Sequence, residues 1–173
     1  ELCSSATSIS LGPTRTRCPE MMALSRNLRS IASTRESVLL LGETGTGKEI
    51  AAAAIHAQSC RTGALRILDC GAIPENLFES ELFGHRRGAF TGAVESHVGE
   101  IVRAQHGTLF LDEVANMSSA AQAKLLRVLE DNQVTAVGSA KKESIDVRWI
   151  AATNVDLFHS QHFRRDVLQR LAG

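Results

Sequence analysis

Seven residues constrain this chain more than any others: Gly42-Glu43-Thr44-Gly45-Thr46-Gly47-Lys48. They fill the first seven positions of the pattern G-x-x-x-x-G-K-[ST]. They lie between an apolar run, Val38-Leu39-Leu40-Leu41, and an alanine-rich stretch from Glu49 to Gln58 with high helix propensity. In a strand that passes through such a loop into a helix, the glycines let backbone N–H groups turn inward around phosphate oxygens. The helix start adds partial positive charge, and Lys48 supplies a full one. This is a cradle for a triphosphate. Glu49 departs from the pattern, because a Ser or Thr hydroxyl usually touches magnesium there, so the metal needs another ligand.

The run Val38 to Leu41 has the form of a strand buried on both faces. Met21, Leu24, Leu28 and Ile31 recur at helical spacing after Pro19, which predicts a helix to about Ser33 that covers the sheet. Arg66 to Cys70 and Thr108 to Asp112 read as a second and a third strand. Ser118 or Ser119 caps a helix that carries Leu125, Leu126, Val128 and Leu129 to about Asp131. Val134 to Val137 and Asp146 to Thr153 are further strands. The alternation predicts an α/β fold, a mostly parallel sheet with helices on both faces and its ligand edge at the carboxyl ends of the strands.

At that edge Leu109-Phe110-Leu111-Asp112-Glu113 delivers two consecutive carboxylates. An apolar strand ending in Asp-Glu is commonplace by itself. Downstream of a phosphate loop it divides the chemistry between neighbours, with Asp112 placed for Mg2+ and Glu113 for orienting and deprotonating the attacking water.

The 173 residues suit one domain, and 19 Lys plus Arg balance 19 Asp plus Glu, so no overall field draws it to nucleic acid or an anionic membrane. Any DNA-reading part is expected elsewhere. Cys3, Cys18, Cys60 and Cys70 form no C-x-x-C pair, and His56 and His85 complete no zinc spacing with them, which fits reduced thiols of a cytoplasmic protein. No apolar run approaches the ~20 residues that span a bilayer. Residues 1–18, rich in Ser and Thr, are expected to be a linker or the remnant of a preceding domain, with the folded domain over 19–173.

Between the second and third strands lie Glu81-Leu82-Phe83-Gly84-His85 and Gly88-Ala89-Phe90-Thr91-Gly92-Ala93. Composition alone describes a small-residue loop with one aromatic. The hexapeptide GAFTGA, however, is the signature of sigma-54-dependent transcription activators, the bacterial enhancer-binding proteins of the NtrC type, and the chain resembles that family from about Pro19 to Leu171. The stretches from Gly42 to Glu49, Gly107 to Glu113, Lys124 to Leu129 and Ala151 to Asn154 are similar to the same family.

The resemblance implies the AAA+ P-loop NTPase fold and an ATPase that forms a homo- or hetero-oligomeric ring, a hexamer. Its GAFTGA loop, with Phe90 and Thr91 at the tip, contacts sigma-54 in the RNA polymerase holoenzyme and drives open-complex formation. Asn154 then reads the γ-phosphate. In Phe163-Arg164-Arg165-Asp166-Val167-Leu168-Gln169-Arg170-Leu171, Arg164 and Arg170 correspond to arginine fingers that reach a neighbouring subunit's ATP; without the family match they would read as surface helix charges. Relatives continue into a helical lid and a helix-turn-helix for enhancer DNA, both expected beyond this chain. Where the family usually carries asparagine, Asp69 stands as the switch residue. A like charge beside Glu113 is expected to repel it and alter coupling, which raises the alternative of a catalytically weak ATP-binding partner subunit. An unrelated small-molecule kinase is disfavoured by Glu49 and by the GAFTGA loop.

Overall fold

The computed structural model describes residues 9–11, 14–16 and 19–173. The linker expected over 1–18 falls largely outside the described residues. In chain order the elements are β1 (Ile9–Leu11), β2 (Thr14–Thr16), α1 (Pro19–Ala32), β3 (Val38–Leu41), α2 (Lys48–Gln58), β4 (Leu65–Asp69), α3 (Glu75–Phe83), β5 (Gly84–His85), β6 (His97–Val98) and α4 (Glu100–Arg103). They continue with β7 (Thr108–Asp112), a 3-10 turn (Val114–Asn116), α5 (Ser119–Asp131), β8 (Gln133–Thr135), β9 (Lys142–Ser144), β10 (Arg148–Thr153) and α6 (Arg165–Leu171).

Four parallel strands form the sheet in the order β3-β10-β7-β4. Alternation along the two central strands builds a core on each face. Phe110, Ile150 and Ala152 pack with Leu28, Ala32, Ala52 and Ile55 under α1 and α2. Leu109, Leu111, Trp149 and Ala151 pack with Leu82, Phe83, Leu125 and Val167 under α3, α5 and α6. Phe110 and Ile150 are 0% exposed, and each such side chain contributes about 1.5–3 kcal/mol of burial. The predicted helix from Pro19 does cover this sheet through Leu28, but Leu24 on the same stripe is 42% exposed. Ser118, not Ser119, caps α5, its side chain accepting from Ala121 N at 3.3 Å.

The segment Val134 to Val137 does not join the sheet. Gln133–Thr135 pairs antiparallel with β9 to make a separate hairpin, and Val137 bridges to His85. Buried Val134 anchors that hairpin to the α5 side of the core.

After β3 the chain crosses to α2 on one face, whereas the segments that follow β7 and β10 pack on the other. The two sets of loops therefore part at the carboxyl ends of β3, β10 and β7, and a crevice opens there.

Candidate functional site

Gly45 and Gly47 have φ of 83° and 87°, the left-handed region that side chains rarely adopt, and Gly47 sits at the N-cap of α2. This geometry curls Gly42 to Lys48 over the end of β3. The Lys48 ammonium turns back into the loop, donating to Gly42 O at 3.0 Å and Glu43 O at 3.2 Å, and lies 3.7 Å from Glu113 Oε1. Thr46 Oγ1 donates to Glu43 O at 2.7 Å. Glu49 lies in the first turn of α2, where a carboxylate favours the helix dipole.

Asp112 ends β7 and Glu113 follows it, its carboxylate facing Lys48 of this loop. Asp112 Oδ1 accepts from Glu113 N at 3.0 Å, and Glu113 holds a left-handed backbone, φ 49° and ψ 50°, that turns its side chain into the crevice. Asn154 follows β10. Its backbone N–H donates to Glu113 Oε2 at 3.3 Å and its Nδ2 to Thr44 Oγ1 at 3.3 Å. The lysine, the carboxylate pair and the asparagine expected to act together thus meet at one edge.

Asp69 ends β4 in register with Asp112, but its carboxylate is turned into its own loop, accepting from Gly71 N at 2.8 Å and Ala72 N at 3.2 Å. Asp69 and Glu113 share no hydrogen-bond partner among the described residues. The Cys70 thiol beside them is pushed well above its ordinary range by burial first and then by the charges of Asp69, Asp112 and Glu113, so it stays protonated and inert.

Arg164 and Arg170 are exposed and end on carboxylates of their own subunit. Arg164 forks onto Asp166, Nε to Oδ1 at 3.0 Å and Nη2 to Oδ2 at 2.7 Å, while Arg170 Nη2 lies 3.9 Å from Glu130 Oε1. Neither guanidinium is bonded to the phosphate loop of its own chain among the described contacts.

Gly88 to Ala93 lie in the excursion between β5 and β6, with Gly88 and Phe90 to Gly92 exposed and Ala93 buried. The loop is folded on itself, with Gly88 N donating to Ala93 O at 2.8 Å and Ala93 N to Phe90 O at 3.0 Å. Phe90 is 39% exposed, its ring edge-on to His85 at 5.0 Å. At the neck the rings of His85 and His97, cross-strand partners, stack at 5.7 Å.

Other features were not visible in the sequence. An apolar groove of ≈ 680 Å³ beside the phosphate loop, lined among others by Leu24, Leu28, Leu41 and Ile50, is large enough for a nucleobase. The turn after β8 supports the hexapeptide loop, Arg86 N donating to Val137 O at 3.0 Å. Buried Gln122 ties α5 to the Arg164 segment. In the structure Leu24 and Ile50 mark the groove, large apolar side chains left 42% and 43% exposed beside the phosphate loop.

Strand, glycine loop, helix and the carboxylate pair at the sheet's ligand edge define a P-loop NTPase of the AAA+ class. The Sigma-54 interaction domain matches residues 15–173, and the chain belongs to that family. It is similar to the sigma54-dependent transcriptional regulator SfnR of Pseudomonas fluorescens (strain Pf0-1), 48% identical over 157 residues, which are 88% of this chain and 43% of SfnR. It is also similar to the hydrogenase transcriptional regulatory protein HoxA of Cupriavidus necator, 52% identical over 140 residues, 79% of this chain and 29% of HoxA. Among solved structures, NtrX from Brucella abortus in complex with ATP superposes with a TM-score of 0.82 at 34% identity, over 95% of this chain and 35% of NtrX. The chain thus spans less than half the length of these relatives. Among the described residues no helix is long and apolar enough to cross a membrane.

Proposed function

We propose that this domain hydrolyses ATP as one subunit of a ring, and that its GAFTGA loop uses the cycle to act on sigma-54 in RNA polymerase and drive open-complex formation. The observation that carries the reading is the convergence of Lys48, Glu113 and Asn154 at the crevice end of three adjacent strands. The phosphates would lie along Gly42 to Gly47, with Lys48 as their cation and the base in the neighbouring apolar groove. Glu113, half-buried and held toward the loop by Asn154 N–H, orients and deprotonates the attacking water. Asn154 links Glu113 to Thr44 of the phosphate loop and so senses whether a γ-phosphate lies between them.

The donors fit magnesium, because a hard cation that keeps several waters needs only one or two carboxylates plus substrate phosphates, and Asp112 ends its strand at this edge. When bound, Mg2+ would be held by Asp112 and supply charge neutralisation at the phosphates. Arg164 and Arg170 project from the subunit and suit a role across an interface with a neighbouring copy. Enhancer DNA would be read by a separate domain, and the action is cytoplasmic, where the polymerase is. The weak-subunit alternative gains no support from Asp69, whose carboxylate is occupied by its own loop.

The test compares Lys48→Ala, Phe90→Ala and Thr91→Ala in the full-length protein. Lys48→Ala should abolish ATP binding, whereas the loop variants should keep ATP turnover and lose open-complex formation. Normal promoter melting by both loop variants would overturn the assignment of the loop, and unchanged ATP affinity of Lys48→Ala that of the phosphate site.

A further inference from the structure

We propose that Asp166 is a positioning residue for Arg164: it grips one edge of the guanidinium so that the remaining N–H groups are offered, already oriented, to the nucleotide of a neighbouring copy of this chain. The inference rests on the reading of Arg164 as a group that acts across the subunit interface.

The backbone under Arg164 is fixed first. Gln122, 1% exposed on α5, accepts from Arg164 N through Oε1 at 2.9 Å. Its Nε2 donates to Met117 O at 2.8 Å and His162 O at 3.3 Å, so both donors of the amide are engaged and the segment before α6 is tied to the helix that follows the Asp112–Glu113 edge. Asp166 is fixed as well, because its Oδ1 accepts from Val167 N at 2.8 Å.

Between these two anchors the side chains meet in a fork. The Nε to Oδ1 and Nη2 to Oδ2 bonds, at 3.0 and 2.7 Å, occupy two of the five donors of the guanidinium. The two Nη1 hydrogens and one on Nη2 remain, on the edge facing away from Asp166. A long exposed side chain that met a phosphate unaided would have to give up its rotamer freedom at that moment. A planar fork already held in place gives up far less. The Asp166 carboxyl is held down to about 2, chiefly by its bonds to Arg164, so the anion is present throughout the range in which the protein works. Arg170 has no equivalent, its single contact with Glu130 being 3.9 Å.

A mutant cycle on the full-length assembled protein tests this: Asp166→Asn, Arg164→Ala and the double variant, each measured for kcat and KM of ATP hydrolysis, ADP affinity, ring assembly by light scattering and thermal midpoint. Asparagine can still accept from Val167 N. Asp166→Asn should therefore leave assembly, ADP affinity, midpoint and KM in place and lower kcat by up to about a hundredfold, the scale of a catalytic group misplaced by ~1 Å. In the Arg164→Ala background it should add nothing. Parental kcat in Asp166→Asn, or an undiminished effect of the change when Arg164 is already absent, would overturn the proposal. Parental turnover in Arg164→Ala alone would overturn the underlying reading of Arg164, an outcome visible in that single variant.

Discussion

Glutamine in place of Glu113 removes one negative charge while keeping the side chain's shape. In the structure that charge shares the Lys48 ammonium with two loop carbonyls, at 3.7 Å from Glu113 Oε1, 3.0 Å from Gly42 O and 3.2 Å from Glu43 O. Both side chains are shielded, 10% and 22% exposed. At 3.7 Å and an effective dielectric of about 20 the direct attraction is about 4 kcal/mol. Desolvation and side-chain ordering offset most of it, leaving a net of about 1 kcal/mol.

An incoming phosphate must draw Lys48 away from this partner, so the net term opposes nucleotide binding. Glu113→Gln should then bind ADP about fivefold more tightly, since 1.4 kcal/mol is worth a factor of ten. Calorimetric titration with ADP in EDTA isolates the effect: ADP excludes hydrolysis, and the chelator excludes a metal that would itself interact with the carboxylate. The same variant should show no ATP turnover. Equal or weaker ADP binding by a folded Glu113→Gln protein would refute the view that Glu113 restrains the lysine before nucleotide arrives.

Two further outcomes follow from packing and charge. At Gly138 an added Cβ would fall 2.7 Å from Ala89 Cβ, at a φ of +74°; Gly138→Ala should displace the hexapeptide loop and abolish promoter opening while ATP turnover persists, and normal opening would show that the turn does not support the loop. Stability should fall with acid in two stages, read as the calorimetric midpoint against pH. His56 is kept neutral by burial and then by Arg148 and Arg61, so its contribution is complete above the unfolded pKa of about 6.5 and declines below it. For Glu100, burial pushes the carboxyl up but the bonds and charges of Arg66 and Arg103 prevail and hold it down, so its contribution is present above about 4.3 and lost as pH falls further. His56→Asn should erase the first stage alone, and a midpoint flat from neutral pH to below 5 would contradict the assignment.

The two central strands are buried on both faces, and a strand of that kind reads as an unbroken apolar run, as in Leu109 to Leu111; the run Val38 to Leu41 marked a strand equally well, but it is the sheet's edge, with Val38 buried and Leu41 52% exposed, not the doubly buried strand expected. The polar residues closing those runs marked the ligand edge for the same reason. What escaped lacks such contrast. The β8–β9 hairpin includes Lys142, Glu143 and Ser144, all exposed, so neither alternation nor apolar content announces the second strand. Helix α3 buries Phe78, Ser80, Leu82 and Phe83, a set that includes a polar residue and adjacent positions and so blurs the helical period. The base groove is formed by residues from α1, β3 and α2 together, so no local pattern contains it.

Asp69 shows why residue identity at a motif position does not settle what its side chain contacts. Its neighbour across the strand pair is Asp112, and the Glu113 carboxylate one residue further on is turned by its own left-handed backbone toward Lys48 and Asn154. Meanwhile the Gly71 and Ala72 amides present two donors to Asp69 Oδ1 at the start of the turn that leads into α3. A carboxylate bound to two amides has its charge partly satisfied where it stands, and a neutral asparagine could accept the same two bonds through its oxygen. The local turn therefore tolerates either residue. What distinguishes them is the aspartate's charge and the asparagine's ability to donate, both carried in part by the second polar atom of the side chain, since Gly71 and Ala72 bond to Oδ1 alone.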